Sequence, residues 1–236
     1  MAIIDNHKSV KIDKSFEDKH PEMFKFFNDR NIDVEVSDNF VDFEKFLKGL
    51  SKEEYPYNYD EFFNETMVLD GDDFALYLKK DNEIIATYAA KILAFGQFND
   101  DFENYLYQQS GKNPEMNFDG LANLIMYKSG RHMYSSCQWV STSHRGKGMG
   151  MMLDHLKKNI CFDVFNADSN YAIHKEAFKE YHLKGLHYED SIWMATVPQG
   201  NVGGAGEEKD KVYNVTWVTK ENWANKLDDV RKLYNR

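Results

Sequence analysis

Cysteine is scarce in this sequence. The 236 residues hold two, Cys137 and Cys161, in no CxxC pair, so no disulfide framework is expected and the chain reads as a reduced, cytoplasmic protein. Long apolar runs are missing as well: none approaches the roughly 20 residues that a bilayer-spanning helix requires. Met1-Ala2-Ile3-Ile4-Asp5 carries no basic segment followed by an apolar stretch, so a signal peptide is not expected either. The eight histidines fall into no HxxxH or HExxH spacing, which argues against a metal site. Positive charge is in deficit, with 29 Lys+Arg against 39 Asp+Glu and a net charge of −10. Such a surface repels nucleic acid and anionic membranes and weakly favours a cationic partner. No internal repeat or low-complexity block interrupts the chain.

Aromatic residues, by contrast, are plentiful at 15%, within a hydrophobic total of 42%. That excludes general disorder despite a mean hydropathy of −0.67. At 27.7 kDa the chain suits one large domain or a core with an appendage, and is too short for two full-sized enzyme domains. A chain of this length buries roughly 70–75% of its extended surface, so a substantial core is feasible.

Residues 1–31 read as an N-terminal extension packed on the core, with Phe24, Phe26 and Phe27 clustered and Ser15 with Asp18 as a helix cap. Residues 32–236 read as the main domain. A short strand at 33–36 precedes Phe40, Phe43, Leu47 and Leu50, which share one helical face. Tyr55, Tyr57 and Tyr59 form an aromatic loop that either packs on the core or lines a cleft, and 61–68 has helical character. Phe74, Leu76 and Leu78 alternate on one side of a strand. Asp81-Asn82 then supplies a tight turn into a strand over 84–95. Residues 97–131 read as an insertion or lid, helical in the second half. A strand over 132–142 with little charge suggests burial on both faces. Met149, Met152, Leu153, Leu156 and Ile160 then define an amphipathic helix whose other face carries Asp154, His155, Lys157 and Lys158, with Lys157 and Lys158 expected to be solvated. A strand near 170–173, a short helix near 176–183, strands over 186–197 and 212–218, a glycine-bearing mobile loop at 198–211 and a last helix over 220–236 complete the chain.

The segment Arg145-Gly146-Lys147-Gly148-Met149-Gly150 lies between the apolar strand and this amphipathic helix. Glycines there let the backbone approach a ligand closely, and the helix start offers unpaired N–H groups at the positive end of the helix dipole. The combination suits a phosphate or diphosphate. Arg145 and Lys147 reverse the sign of charge locally in an acidic protein. The segment is neither a GxxxxGK[ST] loop nor an early βαβ dinucleotide fingerprint. A glycine turn that merely joins strand to helix is the competing explanation.

This segment resembles the R/Q-x-x-G-x-G/A signature of the GNAT N-acetyltransferases. A second run, from His174 to Leu186, is similar to the family's N-x-x-A-x-x-x-Y-x-x-x-G-F: Ala177, Tyr181, Gly185 and Leu186 fall at the expected offsets, with Leu for Phe and His174 for Asn. The resemblance implies an α/β fold with a mixed, mostly antiparallel central sheet, splayed in the middle and flanked by helices. It implies acetyl-CoA, or another acyl-CoA, as co-substrate without a metal. The diphosphate would be bound through Arg145, Gly146, Lys147, Gly148, Met149 and Gly150, and the pantetheine arm would lie along the strand end at Val140–Thr142 and reach His174. It also implies Tyr181 as general acid. The implied activity is transfer of acetyl to a primary amine on a small molecule, peptide or protein by direct attack in a ternary complex, with no role for nucleic acid or membrane.

The general base stays open among His174, Glu176, Glu189, Asp190 and a water chain. Cys137 as a covalent nucleophile is disfavoured, because no base is positioned beside it. The replaced Asn, a strand at 132–142 without a carboxylate and the insertion keep a second function in play: a GNAT-like module that holds acyl-CoA or a partner without turnover.

Overall fold

The computed structural model describes residues 3–6 (backbone only), 12–51, 53–55, 73–92, 100, 102–104, 106–107, 111–198 and 210–234. The expected helix at 61–68, Tyr57, Tyr59, the end of the strand at 93–95 and most of the loop at 198–211 lie outside them. Among the described residues nine strands form one sheet: β1 (Ile3–Asn6), β2 (Asp33–Ser37), β3 (Asp73–Lys80), β4 (Glu83–Ile92), β5 (Glu115–Met116), β6 (His132–Val140), β7 (Ser169–Lys175), β8 (Asp190–Val197) and β9 (Lys211–Thr219). Their order is β1-β2-β3-β4-β6-β7-β9-β8-β5. β1/β2 and β6/β7 are parallel and every other pair is antiparallel, so the sheet is mixed and mostly antiparallel.

The helices are α1 (Lys14–Lys19), α2 (Pro21–Asn28), α3 (Phe40–Gly49), α4 (Phe118–Leu121), α5 (Met149–Asn159) and α6 (Lys220–Tyr234). Strand alternation sends side chains to two cores. Phe74, Leu76 and Leu78 of β3 join Phe24, Phe27, Leu153, Leu156 and Trp223 on one face, beneath α1, α2, α5 and α6. Ala75 and Tyr77 join Phe40, Phe43, Leu47, Trp139 and Tyr171 on the other. The β3–β4 hairpin turns on Asp81 (φ 52°) and Asn82 (φ 65°), the positive-φ pair expected of those residue types.

Two local expectations are corrected. The α1 cap is Asp13, not Ser15 with Asp18. Asp13 Oδ1 accepts from Ser15 N at 2.9 Å and Phe16 N at 3.3 Å, because the carboxylate just outside the helix meets its first free amides. The polar face of α5 is not solvated. Asp154, His155, Lys157 and Lys158 are all fully buried, since α6 and the segment around Leu186–Tyr188 close over it. The expected helical insertion holds β5, which pairs with β8, followed by α4 and a 3-10 turn at Ile125–Tyr127. No helix among the described residues is long and apolar enough to cross a membrane, and they hold no cluster of three or more His, Cys, Asp or Glu suited to a metal.

Candidate active site

The sheet opens at its middle. β6 and β7 pair only from His132↔Ser169 to Ser135↔Ala172. Beyond that point β6 stays with β4 as far as Val140↔Ala86, while β7 stays with β9 as far as Lys175↔Tyr213. The β7-side edge of residues 138–140 therefore has no strand partner among the described residues, and it borders a wedge into which an extended ligand can fit as an added strand.

A bulge sits where the wedge begins. Ala89 pairs with Ser136 and Thr87 with Trp139, so three steps on β6 answer two on β4. The extra residue is Cys137, which holds a left-handed backbone at φ 61°. The bulge resets the alternation. Ser135 bonds Asn170 on the α5 side, and beyond the bulge Val140 packs into the α5-side core, whereas Cys137 and Trp139 enter the opposite one. Gln138 thereby turns toward α5 and donates from Nε2 to the Gly150 carbonyl at 2.7 Å.

The glycine turn follows directly. Residues Thr142–His144 make one 3-10 turn, and Gly146 (φ 75°) and Gly148 (φ 74°) both take left-handed backbone. A Cβ at either position would stand in open space. Gly148 is the N-cap of α5, no side chain caps this helix, and its first turn carries no acidic residue. The first amides of α5 thus lie at the positive end of the helix dipole with no side-chain cap, an arrangement suited to an anion. Met149 buries its side chain in the core, so only its backbone amide is available to a ligand. Arg145 is partly spent: Nε donates to the Val140 carbonyl at 2.9 Å and an Nη to the Glu54 carbonyl at 2.6 Å. It fastens the 53–55 loop to the turn. Lys147 Nζ donates to the Ser143 carbonyl at 2.8 Å from an exposed position.

Tyr181 meets this turn from the other side. A Cβ on Gly150 would lie 3.2 Å from the Tyr181 hydroxyl and 3.5 Å from Gln138 Nε2. Gly150 is glycine because these groups approach it, not for its backbone angles. Tyr181 keeps 43% of its surface exposed, but its hydroxyl is turned inward. Burial first, and then the Asp154 carboxylate, push it up to about 12. Tyr181 opens a π-helical turn, Tyr181–Gly185, whose Leu186 N–H closes on the Tyr181 carbonyl. His174 ends β7 beside the wedge. Its Nδ1 donates to the Lys175 carbonyl, so the buried Nε2 is an acceptor, and burial lowers its proton affinity. Its ring stacks on His182 at 4.2 Å.

The sequence matches no known family model, and no curated protein matches it. Among solved structures, Arabidopsis thaliana NAA60 in complex with acetyl-CoA aligns over 80% of this chain and 99% of its own at 14% identity, with a TM-score of 0.46. AAC(6')-Ib in complex with acetyl-CoA aligns over 82% and 96% at 11% identity and 0.46. A spermidine N-acetyltransferase chimera of Vibrio cholerae SpeG and hSSAT aligns over 83% and 99% at 13% identity and 0.44. In this chain itself, a mostly antiparallel sheet splays at a parallel pair, beside a glycine turn that winds into a helix. The architecture is a mixed, mostly antiparallel sheet, splayed in the middle and flanked by helices, as expected from the sequence.

Around this splayed sheet the base candidates part company. His174 and Glu176 lie by the wedge, where Glu176 accepts from Asn214 Nδ2. Glu189 accepts from Thr219 and Asp190 pairs with Trp217, at the opposite end of β9. Cys137 faces the core opposite α5, and Cys161 is buried with its thiol pushed up to about 12 by desolvation. Two features escaped the sequence reading. One is Gln138, which only the bulge brings to Gly150. The other is the buried cluster of Asp154, Lys157 and Lys158 with Tyr88, Tyr188 and Asn170. Two adjacent lysines with an aspartate three and four residues earlier were a signal, but the same spacing decorates solvated helices.

Proposed function

We propose that the chain is an acyl-CoA-dependent N-acyltransferase that moves acetyl from acetyl-CoA to a primary amine by direct attack. One observation carries the reading: an open two-glycine cradle at the start of α5 lies next to the unpaired edge of β6, with the Tyr181 hydroxyl at Gly150 between them. The backbone amides from Gly146 to Gly150 would hold the diphosphate, while the edge of β6 through Val140 and Thr142, with His174 opposite, would take the pantetheine arm. The thioester supplies an activated acyl group: the amine lone pair forms the C–N bond, the C–S bond breaks, the amine loses a proton to solvent and the thiolate gains one. Binding both reactants side by side contributes up to roughly 7–11 kcal/mol toward the barrier. Unpaired β6 amides are the donors suited to an oxyanion.

Tyr181 acts mainly as a hydrogen-bond donor. At about 12 its hydroxyl is a poorer acid than the thiol it would protonate, whose ordinary value is about 8.5, so full transfer is uphill and partial donation to the developing thiolate is favoured. A hydrogen bond to a charged group is worth about 1.5–3 kcal/mol, so Tyr181→Phe is expected to lower kcat about 10- to 100-fold with little change in CoA affinity. Steady-state kinetics with calorimetric Kd values check this, and undiminished turnover would remove the assignment.

Isothermal titration with acetyl-CoA and with CoA tests the reading as a whole. Saturable binding is expected, and failure of both to bind at millimolar concentration would overturn it. The absence of any carboxylate from β6 favours a second reading, a module that holds acyl-CoA without turnover. Thiol release across a panel of amines separates the two. Cationic amines are the first acceptors to test, given the net charge of −10.

A further inference from the structure

Gln138 has no part in the scheme above, yet the bulge at Cys137 exists where it must to aim this side chain. In a regular strand Ser135, Cys137 and Trp139 would share the α5 side. The extra residue gives that side to Gln138 and Val140 instead, and sends Trp139 into the opposite core. Opposite the bulge, the register leaves Tyr88 of β4 between Thr87 and Ala89 without a β6 partner, and its side chain enters the same α5-side core.

Three groups converge on the bare Cα of Gly150. A Cβ placed there would meet the Tyr181 hydroxyl at 3.2 Å, Gln138 Nε2 at 3.5 Å and Val140 Cγ2 at 3.7 Å. Gln138 makes the directional contact, Nε2–H to the Gly150 carbonyl at 2.7 Å. A carbonyl only accepts, so the orientation of the carboxamide is fixed, with Nε2 toward the helix. This bond joins the strand edge that faces the wedge to the helix turn against which Tyr181 rests.

We propose that Gln138 is a positioning residue, whose carboxamide locks the first turn of α5 to β6 and so fixes the Tyr181 hydroxyl at the unpaired edge of β6. The inference rests on the acyltransferase reading. Gln138 bonds only the Gly150 carbonyl, which in a helix points away from the N-terminal amides that would hold the diphosphate, and the left-handed angles of Gly146 and Gly148 are set by local backbone, so CoA affinity and the placement of Tyr181 are separable. A displacement of about 1 Å at a reacting centre can cost about a hundredfold in rate.

Two variants test it in the full chain. Gln138→Met keeps the length and removes both polar atoms; kcat is expected to fall about 10- to 100-fold while the calorimetric Kd for CoA stays within about threefold of wild type. Gln138→Glu can donate to the Gly150 carbonyl only when its carboxyl is protonated, and a carboxyl near about 4.3 in water is raised by partial burial beside a carbonyl oxygen. Its kcat relative to wild type at the same pH is therefore expected to fall as pH rises from 5 to 8, while the ratio for Gln138→Met stays flat. A role in packing alone would give the glutamate variant no such pH dependence. Wild-type kcat in Gln138→Met, an equal loss in kcat and CoA affinity, or a flat ratio for Gln138→Glu would overturn the inference. Wild-type protein that binds no CoA would overturn the underlying reading instead.

Discussion

A valine at position 148 is expected to lower CoA affinity more than a hundredfold while leaving the chain folded. Gly148 holds φ 74° as the N-cap of α5, a region that β-branched residues essentially avoid. Left-handed backbone costs an L-residue about 1–2 kcal/mol, so the turn either stores that strain or relaxes away from the cradle. The new side chain also enters the open space in front of the helix amides, where the diphosphate is proposed to lie. Both effects act on binding, and a hundredfold loss corresponds to about 2.7 kcal/mol. Stability suffers less: at about 2–4 °C per kcal/mol for a chain of this size, the midpoint should drop by about 2–8 °C. Gly49→Ala is the control, since Gly49 ends α3 without positive φ and a Cβ there meets nothing. Titration of CoA into the three proteins checks the expectation, and wild-type affinity in Gly148→Val would place the diphosphate elsewhere.

The features that the sequence made legible are those in which a residue type meets a local backbone demand. Gly146 and Gly148 are needed for their angles, Asp81-Asn82 for its positive-φ turn, and the apolar stripe of α5 for its period. Gly150 was found as part of the same motif for another reason, the approach of Tyr181 from 31 positions onward in the chain. What stayed hidden depends on partners distant in sequence. Arg145 suggests phosphate charge when read alone; its contact with the Glu54 carbonyl, 91 residues away, becomes visible only once the chain is folded. The bulge adds one residue to a strand whose composition is mixed on both sides, so alternation cannot reveal it. The stripe of α5 shows which side is apolar, but not that α6, from the far end of the chain, covers the polar side.

That covering makes the Asp154 side chain costly to remove. Its carboxylate lies 3.0 Å from Lys157 Nζ and 2.6 Å from Lys158 Nζ, with all three residues fully buried. Burial opposes its charge, but the two ammonium groups outweigh that and hold it well below the usual carboxylate range. Asp154→Ala leaves two buried cations without an anion, and breaking such a pair costs about 3–5 kcal/mol. The lysines are not equivalent. Lys157 also donates to Asn170 Oδ1 at 2.6 Å and Tyr188 Oη at 3.0 Å, whereas Lys158 relies on Asp154, the Leu186 carbonyl and the Tyr188 ring at 3.7 Å. Burial lowers Lys158 to about 7, with Asp154 opposing the fall. Without Asp154 its folded value drops further, while the unfolded value stays near 10.4. Below about 7 the wild-type lysine binds its proton in the folded state with Asp154's help, and the variant's does not. Above about 7 both are neutral when folded, so this part of the deficit disappears. The deficit in urea unfolding should therefore be larger at pH 6 than at pH 9, by up to about 1.4 kcal/mol, the equivalent of the one pH unit between 6 and about 7. Asp154→Leu combined with Lys158→Met should recover more than half of the loss at pH 6, because Lys157 keeps its neutral partners. A loss below about 1 kcal/mol, the range of exposed pairs, and equal at both pH values would mean that water reaches these charges and that the face of α5 is open.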